Sequence, residues 1–193
     1  PPHRLPIPIV KVDDIIGTPY ISAGPDKITY IVPCDIPDGV RPLAAIDQDS
    51  KAMSGHLIEF FQNEIKQGRL PANLLPLQSG VGSVANAVVS GLADSPFSDL
   101  TVYTEVIQDG MFDLIDAGKL KYASGTSLTP SPDGLKRFYD NIDTYRQKII
   151  LRPQELSNSP EIARRLGVIA MNTAIEFDIF GHVNSTHIMG SKM

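Results

Sequence analysis

The regular alternation of strand-type and helix-type segments after residue 45 constrains the fold more than any other feature of the sequence. Short runs rich in β-branched and aliphatic residues, such as Leu100–Val106 and Lys148–Arg152, alternate with segments whose apolar residues recur every three or four positions. Because a helix is the usual connection between parallel strands, this alternation predicts a layered α/β/α protein with a largely parallel sheet. Ligands of such folds bind at the carboxyl ends of the strands.

The helix signals are strongest between Asp47 and Gly68, where capping candidates precede apolar residues at helical spacing. These apolar residues are Ala52, Met53, Leu57, Phe60, Phe61 and Ile65. His56 lies on or beside their stripe, which favours a partly buried structural histidine over a functional one. Further helices are predicted at about 84–92, 109–118, 135–145 and, after the cap residue Ser159, up to Gly167.

Residues 1–45 carry nine prolines and are predicted to form an extended lead-in with one strand, Lys27–Val32. Residues 46–193 are predicted to form one partial domain. Within it, Ala174–Phe180 alternates acidic and apolar residues, which predicts a strand with one buried face. On this interpretation Glu176 and Asp178 are the polar face of that strand and carry no chemistry.

Composition excludes several functions. The net charge is −5 and lysine and arginine form no cluster longer than a pair, which argues against nucleic acid as a partner. The apolar runs are too short to cross a bilayer, so no membrane partner is expected. Cys34 is alone and the spacing of His182 and His187 matches no helical metal motif, so we expect neither a disulfide nor a metal site.

The first candidate for chemistry is the glycine loop Gly80–Gly82, which lies between a predicted strand that includes Leu74-Leu75-Pro76-Leu77 and a predicted helix. Its backbone N–H groups suit a phosphate or a developing oxyanion. The loop matches neither the dinucleotide fingerprint nor a P-loop, so a merely tight turn remains an alternative. Ser79 lacks the G-x-S-x-G context of a nucleophile elbow, which disfavours a serine hydrolase.

The second candidate is Glu105, which ends an otherwise apolar strand and precedes Gln108-Asp109-Gly110. A carboxylate at this edge of an α/β sheet can serve as a nucleophile or a general base. Spacing alone favours a solvated acid at the end of a strand over this role.

Five segments closely resemble the acetyl-CoA hydrolase/transferase family, which are class I CoA-transferases and include succinyl-CoA:acetate CoA-transferases. The likeness covers residues 15–193 in the family's order. The segments are Leu74-Leu75-Pro76-Leu77-Gln78-Ser79-Gly80-Val81-Gly82, Tyr103-Thr104-Glu105-Val106-Ile107-Gln108-Asp109-Gly110, Leu151-Arg152-Pro153-Gln154-Glu155, Arg164-Arg165-Leu166-Gly167-Val168-Ile169-Ala170-Met171-Asn172-Thr173 and Val183-Asn184-Ser185-Thr186-His187.

This resemblance implies a CoA-transferase (NagB/RpiA-like) fold and a protein of two related α/β domains. The chain would be the front part of the second domain, truncated at its C-terminal end before another glycine-rich loop. The resemblance also implies that Glu105 is the catalytic nucleophile and that the Val81 N–H, between Gly80 and Gly82, forms part of an oxyanion and CoA-binding loop. It places the Asn158 side chain beside the carboxylate.

The activity implied by the resemblance is acyl-CoA:carboxylate CoA transfer, between acetyl-CoA or succinyl-CoA and acetate or succinate, through a covalent glutamyl-CoA thioester. Coenzyme A is then a substrate, and no further cofactor is expected. The alternatives are acetyl-CoA hydrolysis, propionyl-CoA:succinate CoA transfer, and an inactive scaffold or assembly fragment. The expected partners are acyl-CoA and small carboxylic acids, with a homodimer of the full-length parent.

Two further features are the start of the chain and three departures from the family's usual residues. The chain begins at Pro1 without a methionine or an apolar signal core, so it reads as a piece of a longer protein from the cytoplasm or the mitochondrion, with no visible targeting segment. Gly125, Phe180 and His182 stand where alanine, tyrosine and asparagine are commoner in the family. These departures are expected to affect the wall of the site and not Glu105.

Overall fold

Parallel strands joined by helices form the centre of the computed structural model, which describes residues 5–40, 42 and 45–192. The strands in this part of the chain are β1 (Leu77–Ser79), β2 (Leu100–Tyr103), β3 (Val106–Ile107), β4 (Leu120–Gly125), β5 (Ser127–Leu128), β6 (Ile149–Leu151), β7 (Ile169–Met171), β8 (Glu176–Phe177), β9 (Val183–Asn184), β10 (His187–Ile188) and β11 (Ser191–Lys192).

The helices lie close to the predicted segments, and the predicted helix at 135–145 is divided into two. They are α1 (Gln48–Lys66), α2 (Ser83–Gly91), α3 (Asp109–Asp116), α4 (Pro132–Asp140), α5 (Ile142–Tyr145), α6 (Gln154–Ser157) and α7 (Pro160–Leu166), with 3₁₀ turns at Pro25–Lys27 and Leu92–Asp94. The predicted caps of α1 and α7 are confirmed. Asp47 accepts a hydrogen bond from the Ser50 N–H at 2.7 Å, and Ser159 accepts one from Ile162.

The main sheet contains β6, β4, β2, β1 and β7 in that order, and all neighbours are parallel. The chain builds the sheet outward from β1 to β6 and then crosses back to place β7 on the other side of β1. The strand order therefore reverses at β1, and such a reversal is where open α/β sheets bind ligands. The predicted α/β class and parallel sheet are confirmed.

Helices cover both faces of this sheet, as the layered prediction requires. On one face the first five helices pack on the larger core, which includes Phe61, Leu77, Val102 and Phe112. On the other face a smaller core contains Tyr103 from β2, Ile162 from α7, and Ile9 and Val12 from the N-terminal segment. Ile9 and Val12 thus pack the N-terminal segment against the sheet.

The predicted strand at Lys27–Val32 is wrong. Residues 28–40 have no regular structure, and the side chains of Tyr30, Ile31 and Val32 are 80–85% exposed. In the described ranges no other segment pairs with this run, and β-propensity without a partner strand does not hold a strand in water. The division between residues 1–45 and 46–193 remains a prediction.

The predicted buried face of Ala174–Phe180 is also wrong. Only Glu176–Phe177 is a strand, paired antiparallel with Val183–Asn184, and Phe177 and Ile179 are 78% and 94% exposed. The small hairpins near the C-terminus lie outside the main sheet, so their apolar side chains have no core to join in this part of the chain.

Helix α1 and strand β7 also differ from the sequence predictions. His56 is exposed rather than partly buried, because the buried side of α1 runs through Ser50, Ser54 and Phe61. Strand β7 was not predicted, although a short apolar run after the helix-ending Gly167 was its signal. Among the described residues no helix is long and apolar enough to span a membrane.

Candidate functional site

Glu105 lies just past the carboxyl end of β2, in the two-residue break before β3. Its backbone carbonyl accepts hydrogen bonds from the N–H groups of Thr126 at 2.7 Å and Ser127 at 3.3 Å. These bonds fix the main chain at this point to the connection between β4 and β5. The side chain is exposed and faces a cleft of about 430 Å³.

The cleft is built from the ends of three neighbouring strands and from helices α6 and α7. Its lining residues are Gln78, Tyr103, Thr104, Glu105, Ser157, Asn158, Ala163, Arg164, Val168 and Ala170. Glu105 and Arg164 supply the charges of this wall. A carboxylate and a guanidinium in one open cleft can act on a polar, negatively charged substrate.

The glycine loop stands at the end of β1, beside the end of β2. Leu77 is in register with Val102, and the Thr104 hydroxyl donates to the Ser79 carbonyl at 3.2 Å, so both strands end at one level. The Gly82 N–H donates to Oε1 of the buried Gln108 at 3.2 Å, which joins the loop to the segment that follows Glu105.

Glycine is required at Gly82, whose φ of +118° is unfavourable for other residues. Gly82 is also the N-cap of α2, so the N–H groups of the first helical turn face the same sheet edge. Val81 is 67% exposed, and among the described atoms no hydrogen bond from its N–H is found. Such an arrangement can bind an anion.

The structure thus brings two of the sequence-predicted residues, Glu105 and Asn158, into one cleft. It places Gly80, Val81 and Gly82 at the neighbouring strand end, outside the residues that line the cleft. Ser79 is buried and its hydroxyl donates to the Ala85 carbonyl at 3.3 Å, which is a structural arrangement. The roles of these residues remain predictions.

Sequence reasoning missed three polar residues of the site. Gln154, the first residue of α6, donates from Nε2 to Oε1 of Glu105 at 3.2 Å. Gln78 forms a reciprocal amide pair with Asn172, with N···O distances of 3.0 and 2.8 Å. Arg164 lines the cleft from the last turn of α7. All three lie in segments that resemble the family, which was their only signal.

Two polar side chains near the cleft, those of Arg152 and Tyr103, form hydrogen bonds in the protein interior. Arg152 is 5% exposed and donates to the Ser124 hydroxyl at 2.5 Å and to the carbonyls of Val12 and Asp14. Burial lowers the pKa of Arg152, yet a guanidinium remains charged at any ordinary pH. The Tyr103 hydroxyl donates to the Leu156 carbonyl at 2.5 Å, and burial raises the pKa of this tyrosine.

Known proteins match the whole chain. Residues 134–193 match the acetyl-CoA hydrolase/transferase C-terminal domain. All 193 residues align with the succinyl-CoA:acetate CoA-transferase of Clostridium kluyveri at 56% identity and with the acetyl-CoA hydrolase of Schizosaccharomyces pombe at 53% identity. This chain belongs to the acetyl-CoA hydrolase/transferase family. It spans 36% and 37% of the length of those two relatives.

Solved structures agree with the fold of this acetyl-CoA hydrolase/transferase family chain. RipA from Yersinia pestis superposes with a TM-score of 0.62 at 23% identity, over 79% of this chain and 34% of that one. The 4-hydroxybutyrate CoA-transferase of Porphyromonas gingivalis superposes with a TM-score of 0.60 at 19% identity, over 82% of this chain and 38% of that one. At these identities the likeness concerns the fold alone.

Proposed function

We propose that the protein carrying these residues is an acyl-CoA:carboxylate CoA-transferase whose nucleophile is Glu105. The observation that carries the proposal is the exposed Glu105 carboxylate at the carboxyl end of β2, in a cleft beside a glycine loop. Support comes from the 56% identity to a succinyl-CoA:acetate CoA-transferase. Acetyl-CoA and succinyl-CoA are the proposed donors, with acetate and succinate as acceptors, and coenzyme A acts as substrate without a further cofactor.

The first half of the reaction transfers CoA to the enzyme. A carboxylate oxygen of Glu105 attacks the thioester carbonyl carbon, and the C–S bond breaks to release CoA thiolate and leave an acyl-glutamyl anhydride. The thiolate then attacks the glutamyl carbonyl carbon. The C–O bond of the anhydride breaks, the free carboxylate departs and a glutamyl-CoA thioester remains.

The second half runs the same steps in reverse with a different acid. The acceptor carboxylate attacks the glutamyl-CoA carbonyl and expels CoA thiolate, which then attacks the acceptor's own carbonyl carbon. The new acyl-CoA leaves and the Glu105 carboxylate is restored. No net hydrolysis occurs, so the free energy of the thioester bond is conserved.

Each attack creates an oxyanion that needs hydrogen-bond donors. The Val81 N–H is the proposed donor of the glycine loop, with Gly80 and Gly82 allowing the main chain to approach the substrate. A preorganised donor of this kind is worth about 3 kcal/mol of transition-state stabilisation. Asn158, which lines the same cleft as Glu105, is proposed to lie beside the carboxylate during the reaction.

Hydrolysis of acetyl-CoA is the second candidate function, because a relative that is 53% identical is named an acetyl-CoA hydrolase. Both activities share the glutamyl-CoA thioester and differ only in whether water or a carboxylate attacks it. Propionyl-CoA:succinate transfer uses the same chemistry with another acyl group. A homodimer and a cytoplasmic or mitochondrial location remain predictions, and a scaffold without activity gives no reason for the Glu105 arrangement.

The proposal is tested by intact-mass spectrometry of the full-length protein, meaning a protein of the relatives' length that contains these 193 residues. Incubation with acetyl-CoA is expected to add the mass of a CoA thioester to wild type and nothing to Glu105→Ala. Glu155→Gln, an exposed acid on α6, is the control and is expected to form the adduct. Turnover of Glu105→Ala at the wild-type rate with acetyl-CoA and succinate would refute the assignment.

A further inference from the structure

The side chain that holds Glu105 in the cleft is Gln154. Its Nε2 donates to Oε1 of Glu105 at 3.2 Å across 49 residues of sequence. Among the residues that the structure describes, no other hydrogen bond to this carboxylate is found, so Oε2 is left without a protein donor. The two carboxylate oxygens are therefore distinct, one held and one open.

Gln154 and Glu105 are attached to the same short segment of main chain. Thr126 donates its N–H to the Glu105 carbonyl, and its hydroxyl contacts the hydroxyl of Ser157, the last residue of α6. Arg152, two residues before Gln154, donates its N–H to the Gly125 carbonyl at 2.8 Å. The start and the end of α6 are thus both fixed to the strand connection that holds the backbone of Glu105.

This arrangement suits orientation rather than stability. Gln154 and Glu105 are exposed, so the bond between them adds little to folding. An exposed glutamate samples several rotamers, and one donor on Oε1 restricts that sampling. An amide donor also carries no charge, whereas a lysine or arginine in its place would form an ion pair with the attacking group.

We propose that Gln154 is a positioning residue of the reaction, which holds Oε1 of Glu105 so that Oε2 is directed at the thioester carbonyl. This inference rests on the proposed function of Glu105. Misplacing a reacting atom by about 1 Å can slow a reaction about a hundredfold. The glutamine hence belongs to the chemical step and not to the binding of the substrate.

The test compares three variants of the full-length protein. Gln154→Met keeps the side-chain length and removes the donor, and Gln154→Glu keeps the length and places a second negative charge beside Glu105. We expect kcat and the rate of CoA-adduct formation to fall about tenfold in the first variant and about a hundredfold in the second, with KM for acetyl-CoA within about twofold of wild type. Glu155→Gln is the matched control on the next residue of α6 and should match wild type.

The outcomes separate this inference from the function on which it rests. If wild type forms no CoA adduct, the assignment of Glu105 as the nucleophile is wrong, and the positioning role of Gln154 is then wrong as well. If wild type forms the adduct and Gln154→Met forms it equally fast, Glu105 remains the nucleophile and only the positioning role is overturned. Equal losses of kcat in Gln154→Met and Gln154→Glu, together with a lowered melting temperature, would also overturn the positioning role. A purely structural role would not make the charged glutamate more harmful than the neutral methionine.

Discussion

At the scale of single residues, the site separates a fixed main chain from an exposed side chain. The backbone of Glu105 is bonded to Thr126 and Ser127, whereas its carboxylate is open to the cleft. The same holds for Val81, which is exposed on a loop whose next residue is bonded to Gln108. Fixed backbones with accessible reactive groups are the condition for electrostatic preorganisation.

Val81 provides a test of the glycine loop that leaves Glu105 untouched. Val81→Pro deletes the N–H and is expected to lower turnover of the full-length protein by about a hundredfold or more, because one oxyanion donor is lost. Val81→Ala retains the N–H and should keep transfer activity. Steady-state kinetics give the comparison, with circular dichroism to establish that both variants are folded. A folded proline variant with unimpaired turnover would exclude Val81 from the site.

At the scale of single residues, the location of Glu105 could be predicted because its position along a strand was sufficient. Glu105 could be selected because strand ends are visible in the sequence and meet at one sheet edge. Gln154 could not, since α6 has only four residues and no periodicity, and its contact spans 49 positions. Arg164 and Gln78 were missed for another reason: polar residues that are exposed or half-buried carry no sequence pattern that distinguishes a cleft from an ordinary surface.

At the scale of elements, the start of a helix is determined by nearby residues, whereas a strand depends on a partner strand elsewhere in the chain. Caps such as Asp47 and Ser159 act on their own first turn, so α1 and α7 begin where the sequence predicts. A strand needs a neighbour, and the β-rich run Lys27–Val32 has none in the described part of the chain, so it forms no strand and its apolar side chains are exposed. This difference explains why the two elements that were predicted wrongly are strands.

The packing of α2 on α3 depends on the absence of a side chain at Gly110. A Cβ there would lie 2.8 Å from the Asn86 carbonyl oxygen and 3.0 Å from the Ser90 nitrogen, both in the backbone of α2. Gly110→Ala is therefore expected to destabilise the full-length protein by about 1–3 kcal/mol. Gly55→Ala is the matched control, because Gly55 lies inside α1 and a Cβ there would have nothing within 4 Å. Alanine at this position should raise the free energy of unfolding by about 0.5–1 kcal/mol.

Urea unfolding, with melting temperatures as a second measure, gives both stability changes. Both substitutions add a methyl group to a helix. If the two changes in the free energy of unfolding have opposite signs, the effect of the contact between α2 and α3 is separated from that of helix propensity. Equal stability of the two variants would show that α2 and α3 can separate without cost.

At the scale of the whole molecule, the chain covers little more than a third of its relatives and leaves large apolar side chains exposed at both ends. Ile21, Ile31, Phe177 and Ile179 are each more than three quarters exposed. Single exposed apolar residues are ordinary, whereas a contiguous apolar patch marks a surface that contacts other protein. The cleft that Glu105 lines is open.

Residues 1–193 alone are expected to release no CoA from acetyl-CoA and to self-associate. A nucleophile accelerates a reaction only when the substrate and the oxyanion donors are held in place, and these residues span only 36% and 37% of the length of two relatives. The exposed apolar side chains and the unpaired edges of β6 and β7 should in addition join copies of the isolated chain. Release of CoA thiol and mass by light scattering are the two measurements, with the full-length protein as the control. A monodisperse monomer with turnover near that of the full-length protein would show that these residues contain the complete active site.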